Sequence, residues 1–448
     1  MVLPFWGELF KSQFDNEKIE EAIARMIREH NQDPEAHLLP GGSLYSHKFS
    51  EIIDHVAESI IEDKIRNKII TAPKIHPSGL VADAVVAPEG GDFNNIQDAI
   101  DYGYNYIYIK KGVYEIDSYI HITRSNIKLI GEDREKTIII PKPGMLDGAI
   151  VIGDFYDPNL DDIENIEIAN LSIGQPDKKM IYGIIVYASH PEPHYNIRNV
   201  KLHDIDFYIS NSVGITVSEA QDVFIYNNAF FDFSGTKCIN ISSPFPVFVF
   251  NNTIYRPTGE TCIEVFISDI TGAPSYILNN TILGTSSSSV IGIYARSPGA
   301  IIANNFIKNT NYLGMWIADY SHHFVLGNII INEGAGAGIY VAYSDYSIIS
   351  NNFVKGCSYF DGLRLSNSNY CLVKNNLIID SLRGIGISNA SYNSIISNYL
   401  RGNNTGLEIF SGSLNYVRLN YVLGNTTNFV DNGTGTIIGA STTNDNVV

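Results

Sequence analysis

Bases are scarce in this chain. Its 448 residues hold 30 Lys and Arg against 48 Asp and Glu, a formal charge of −18 at pH 7. A surface so charged repels phosphates, which excludes a nucleic-acid backbone or an anionic membrane as the main partner. Long apolar runs are missing too: nothing approaches the roughly 18 consecutive apolar residues of a membrane-spanning helix. Residues 1–11 lack the basic start and apolar stretch of a signal peptide, so classical secretion and membrane insertion are not expected. Cysteines number only 4, too few for a disulfide framework in a chain of this length.

What is abundant is repetition. An Asn followed by an apolar residue returns at Asn228, Asn252, Asn280, Asn305, Asn328, Asn352, Asn376, Asn398 and Asn420, roughly every 24 residues. In phase with it runs a Gly followed by apolar, any residue, apolar, at Gly214, Gly314, Gly338, Gly362, Gly384 and Gly406. Two markers in fixed phase, with short alternating apolar runs between them, describe one coil of an all-β solenoid. Cys238 and Cys262 take the Gly position in adjacent coils, about 4.8 Å apart in a parallel ladder. Parallel Cβ vectors suit two stacked thiols better than a disulfide.

Ahead of the repeats, residues 15–29 and 50–66 carry apolar stripes at helical spacing (Ile19, Ile23, Met26, Ile27; Ile53, Val56, Ile60, Ile61, Ile65) that a lone helix cannot bury. The expected organisation is a helical attachment and oligomerisation module over 1–72 and a Pro- and Gly-punctuated linker over 73–91. A β-solenoid over 92–440 follows, opened by a short capping helix around Ile96, Ala99 and Ile100, and 441–448 form a tail.

Residues 96–100 (IQDAI), 107–114 (IYIKKGVY) and 126–132 (NIKLIGE), followed by the Gly and Asn repeats, resemble the right-handed parallel β-helix proteins of the pectin-lyase-like class. The resemblance implies a right-handed, single-stranded parallel β-helix of about 11–13 coils. It leaves the reaction open, because that class includes lyases, hydrolases, epimerases and noncatalytic spikes. Separately, residues 33–39 (DPEAHLL), 43–50 (SLYSHKFS), 52–55 (IIDH) and 63–65 (DKI) resemble modules that precede such domains in tailed-virus structural proteins. That resemblance, with the two unburied helical stripes, implies a homotrimer that attaches by its front end to other virion structural proteins.

The recurrent Asn residues are expected to form a structural ladder, bonding coil to coil and tolerating the left-handed bend. The recurrent Gly is expected to give turn freedom before a strand. The residue between the two apolar positions after the Gly points outward instead. Down the coils this column reads Thr216, Asn240, Glu264, Tyr294, Trp316, Tyr340, Arg364, Gly386 and Glu408. Tyr294, Trp316 and Tyr340, with Arg364 and Glu408 beside them, are the candidate carbohydrate-binding residues, since aromatic faces pack on sugar rings and charged groups hold hydroxyls and carboxylates.

Acids near the row are Glu219, Glu264, Asp319, Asp345 and Glu408, and the bases are Arg296 and Arg364. The candidate catalytic set is Glu264, Asp319 and Arg296. Two coils separate the acids, about 10 Å by ladder spacing, marginal for a hydrolase. Neither the clustered Asp residues of a calcium-dependent pectate lyase nor the NTD, DD, GHG and RIK motifs of polygalacturonases occur on the coils; the adjacent pair Asp161 and Asp162 sits in an irregular insertion. His322 and His323 are expected as solvated turn residues, and His190 and His194 as part of a protruding Pro-rich loop, so no metal and no cofactor is assigned. The function this points to is a virion appendage, of tail-fibre or tailspike type, binding a cell-surface polysaccharide at the virion or extracellular surface. The alternatives are a polysaccharide lyase or glycoside hydrolase on the same fold, and a noncatalytic structural or adhesive solenoid.

Overall fold

The computed structural model describes residues 82–439, apart from 143–147, 155–160, 188–196, 211, 267–273, 286–289 and 335. The chain divides into two compact units, Met1–Val81 and Ala82–Val448. The expected helical module over 1–72, the tail over 441–448, His190 and His194 all lie outside the described residues.

The second unit is a parallel β-helix. One sheet has thirteen strands and the other twenty-six, two in most coils, with Ile163–Ile173 and Ile197–Phe207 each running through both positions of their coil. Every registered neighbour is parallel, for example Ile239 between Ile215 and Ile263. Stacking therefore puts like on like: Ile215, Ile239, Ile263, Ile293, Met315 and Ile339 form one continuous inward column, fully buried. Each such side chain contributes about 1.5–3 kcal/mol by leaving water. No coil could bury its own apolar row alone, which is why the repeat must be stacked.

The ladder starts earlier than the sequence pattern indicates. Strand Ala84–Val86 lies inside the stretch expected as linker and pairs with Ile107–Ile109, because its AVV run completes the first coil. The helix Ile96–Asp101 then covers the open end, burying Ile96, Ala99 and Ile100, with the Asn95 side chain accepting from the Gln97 N–H at 2.7 Å. Directly after Asp161 and Asp162 the chain is back in the ladder, in the strand Ile163–Ile173, which bends where Asn165 and Asn170 take positive φ.

All nine ladder Asn residues are buried. Asn228 through Asn398 each donate the backbone N–H and Nδ2 to the Oδ1 of the Asn one coil on, as Asn328 does to Asn352 at 2.9 and 3.0 Å, and all nine, the terminal Asn420 included, give an Nδ2 hydrogen to a main-chain carbonyl. The left-handed bend falls elsewhere. The residue just before each ladder Asn takes positive φ: Asn227, Asn251, Asn279, Asn304, Gly327, Asn351, Asn375, Ser397 and Leu419. Two jobs expected of one Asn are thus divided between neighbours, one bonding inward and one supplying the turn.

The recurrent Gly also works differently from expectation. It lies within the strand, and a Cβ on Gly338 would sit 2.4 Å from the Gly362 carbonyl oxygen and 2.3 Å from Val354 Cγ1. The requirement is close approach between coils, not turn freedom. Cys238 and Cys262 fill this position as buried free thiols, and burial together with the neighbouring Cys262 pushes the Cys238 thiol well up.

Candidate functional site

The outer face of the thirteen-stranded sheet carries the predicted column in the predicted register. Thr216, Asn240, Glu264, Tyr294, Trp316, Tyr340, Arg364, Gly386 and Glu408 are successive partners. Tyr294 stacks on Trp316 at 4.5 Å between centroids and 17°, and Trp316 on Tyr340 at 6.1 Å and 30°. Beneath them lie Ile291, Leu313 and Ala337. The three rings therefore spend their faces on one another and their undersides on the sheet, leaving mainly edges outward. Burial raises the Tyr294 hydroxyl's pKa, and the Trp316 indole N–H is buried with no hydrogen-bond acceptor.

Further exposed rings lie beside this floor, Tyr312 within the strand Asn311–Ala318 and Tyr343, Tyr359 and Phe360 at bends. Tyr312 is 51 % exposed, Tyr343 63 %, Tyr359 69 % and Phe360 49 %, on three consecutive coils. Sequence reading missed them because strand alternation says nothing about residues at strand ends and turns. Tyr343 is held at φ 54, a conformation a bulky residue rarely adopts.

Charged groups close both ends of the row, and each is paired. Lys237 Nζ donates to Glu264 at 2.9 Å and to Asn240 at 3.3 Å. Arg296, expected beside Glu264, instead donates to Asp319 at 2.7 Å and lies over the Phe266 ring at 4.8 Å. The candidate catalytic carboxylates are thus each engaged by a different cation, and Arg296 does not bridge them. Glu219 and Asp345 occupy bends: Glu219 has φ 55, and Asp345 accepts from the Asn369 N–H at 2.6 Å.

At the other end is a cluster unforeseen from sequence. The Asp361 side chain is wholly buried, accepting from Arg383 and, at 3.2 Å, from Arg364. Both guanidiniums lie 5.0 Å from the Phe410 ring centroid, and Glu408 stands 3.9 Å from Arg383. Gly386 makes the room, since a Cβ there would lie 2.3 Å from Asp361 Oδ2. Burial pushes the Asp361 carboxyl up, against the pull of Arg383 and Arg364.

His322 and His323 part company. His322 is exposed and stacks on Tyr346 at 5.2 Å. His323, contrary to the solvated reading, is buried, with Nε2 2.9 Å from the Tyr320 carbonyl, because at the bend the chain turns it into the core. Burial, with His322 adding to the effect, lowers its pKa to about 4. The imidazole is neutral when folded and protonates near its ordinary value when unfolded. Stability should therefore fall as pH drops through the window from about 6.5 to 4, by about 2 kcal/mol between pH 7 and 5. Urea midpoints at the two pH values check this; an equal drop in His323→Leu would assign it elsewhere.

Against this geometry, a family model described as periplasmic copper-binding protein (NosD) matches residues 292–446. The donors present there do not fit copper: His323 is engaged in the core, Cys357 and Cys371 are separately buried, and among the described residues no three His, Cys, Asp or Glu side chains form a metal-holding group. No curated protein sequence matches the chain. Among solved structures, pre-mature bacteriophage phi29 gene product 12 is similar with TM-score 0.51 at 12 % identity, over 87 % of this chain and 59 % of that one. Bacteriophage CBA120 tailspike protein 3 gives 0.49 at 13 %, over 88 % and 68 %. The A-module of Azotobacter vinelandii mannuronan C-5 epimerase AlgE6 gives 0.45 at 15 %, over 77 % and 93 %. At these identities the likeness is one of fold.

Proposed function

We propose that this chain is a virion appendage of tail-fibre or tailspike type, on a pectin-lyase-like β-helix, that holds a cell-surface polysaccharide along the outer face of its thirteen-stranded sheet. The observation that carries the reading is a combination: on that face, a floor of stacked Tyr294, Trp316 and Tyr340 with paired charges at both ends, and beside it, at strand ends and bends of the same coils, exposed rings at Tyr312, Tyr343, Tyr359 and Phe360. Stacking for strand stability accounts for the floor alone. It gives no reason to expose four further rings, which is costly unless they are used. A pyranose packs its apolar face on such a ring, and its hydroxyls bond to the carboxylates and the outward guanidinium hydrogens.

The attachment module over 1–72, the homotrimer and a location at the virion or extracellular surface belong to the same proposal, supported by the amino-terminal resemblance and its two apolar stripes. A glycan identified on an array should bind Tyr343→Ala or Tyr359→Ala more weakly by about 1–2 kcal/mol, and Trp316→Ala by about 1–3 kcal/mol, read by titration calorimetry. Unchanged affinity in all three would remove the glycan from this face. The alternative of a degrading enzyme on the same fold is tested separately. New absorbance from unsaturated sugar on incubation with polysaccharide would mean a lyase, and new reducing ends alone a hydrolase.

A further inference from the structure

The twenty-six-stranded sheet presents a second face of opposite character. Four outward columns run along it in register, from Phe248 to Tyr416 and Phe250 to Arg418 on the near side of each coil's left-handed bend, and from Thr253 to Tyr421 and Tyr255 to Leu423 beyond it. None of their positions holds Asp or Glu, although the chain carries −18. Charge here is basic and periodic. In the last column Lys308, Lys355 and Arg401 alternate with Ile331, Ile379 and Leu423. In the second, Lys374 and Arg418 flank Ile396. Alternate coils lie about 10 Å apart. Asp380, at the bend, lies 3.8 Å from Lys355, and Arg418 also reaches the Tyr416 hydroxyl at 3.2 Å.

We infer that this face binds an acidic polysaccharide running parallel to the β-helix axis. A base every second coil matches an extended glycan with one carboxylate or sulfate per disaccharide. The aliphatic residue between two bases meets the apolar face of the intervening sugar. A nucleic acid fits less well, because its charges recur about every 3.4 Å along each strand, leaving most phosphates unmatched beside an acidic protein. An isologous contact with a second copy would set the basic columns against each other. The acidic chain is thus the occupant that charge complementarity selects, on a face separate from the Tyr294–Trp316–Tyr340 floor.

The test uses the full chain with hyaluronate as the probe carrying one carboxylate per disaccharide, alginate and polygalacturonate as probes charged on every sugar, and dextran as the neutral one, by calorimetry across a salt series. Hyaluronate should bind, more weakly as salt rises. K355E/R401E should lose at least tenfold in affinity, with K355Q/R401Q intermediate, while Tyr343→Ala leaves that affinity unchanged. The inference is overturned if hyaluronate does not bind, or if the charge variants bind as wild type does. It fails equally if binding is lost in Tyr343→Ala instead, or if sedimentation shows that the charge variants dissociate an assembly whose copies cover this face. Loss of a neutral glycan in Tyr343→Ala with acidic binding intact would concern only the first face.

Discussion

Asn352→Leu should lower the unfolding free energy by about 4 kcal/mol, the largest effect expected of a conservative-volume change in this chain. Leu fits the space and is apolar, so the loss isolates the ladder's hydrogen bonds. Asn352 Oδ1 accepts from the Asn328 N–H and Nδ2 at 2.9 and 3.0 Å, and its Nδ2 donates to the Val325 carbonyl and Asn376 Oδ1, both at 2.9 Å. With Leu in place, the Asn328 N–H is orphaned in the core at about 1–3 kcal/mol, the Val325 carbonyl keeps its strand pairing with the next coil but loses its second donor, and two further Asn–Asn bonds are lost at about 1 kcal/mol each. The defect stays local because coils contact only their neighbours. Urea unfolding followed by circular dichroism reads it, with the preceding bend residue as control. Asn351, at φ 58, should cost only about 1 kcal/mol as Ala, through its left-handed backbone. An Asn352→Leu protein within about 1 kcal/mol of wild type, less than one orphaned group should cost, would mean that the coils re-pair without the ladder.

The register of this ladder made the outer column legible from sequence. Once Asn228 through Asn420 fix the step, strand alternation assigns Glu264, Tyr294, Trp316, Tyr340 and Arg364 to one face with no further information. The same rule, moved two residues along, brings Phe266 beside Arg296, a signal that yields Arg296 in the sequence reading and leaves Phe266 unused. What alternation cannot supply is anything at the bends. His322 and His323 look alike in sequence, yet one faces solvent and the other the core. Tyr343, Tyr359 and Phe360 sit at or beyond strand ends. Asp361 precedes a Gly and reads as a turn acid, while its partner Arg383 is one coil away and its space is created by the absent side chain of Gly386. Side-chain pairing across coils depends on rotamers and vacated volume, which periodicity does not encode.

Asp361→Ala should cost about 3 kcal/mol, the low end of what removing one member of a buried ion pair costs. Two features hold it there. Burial already raises the Asp361 carboxyl, so part of the attraction to Arg383 and Arg364 offsets desolvation that the variant no longer incurs. Both guanidiniums also reach solvent, at 21 % and 25 % exposure, and can rehydrate. What remains is two like charges over the Phe410 ring with only Glu408 nearby. The variant should therefore be more sensitive than wild type to low salt, where their repulsion is least screened. A double-mutant cycle makes the argument specific. Gly386→Ala forces its Cβ to within 2.3 Å of Asp361 Oδ2 in the wild-type background and should be strongly destabilising there. In the Asp361→Ala background the space is empty and the same methyl should be tolerated, giving a coupling above about 1 kcal/mol. Additive effects in urea unfolding would mean that Asp361 does not fill the Gly386 notch, and the cluster of Arg364, Arg383 and Phe410 around the buried Asp361 would lose its basis.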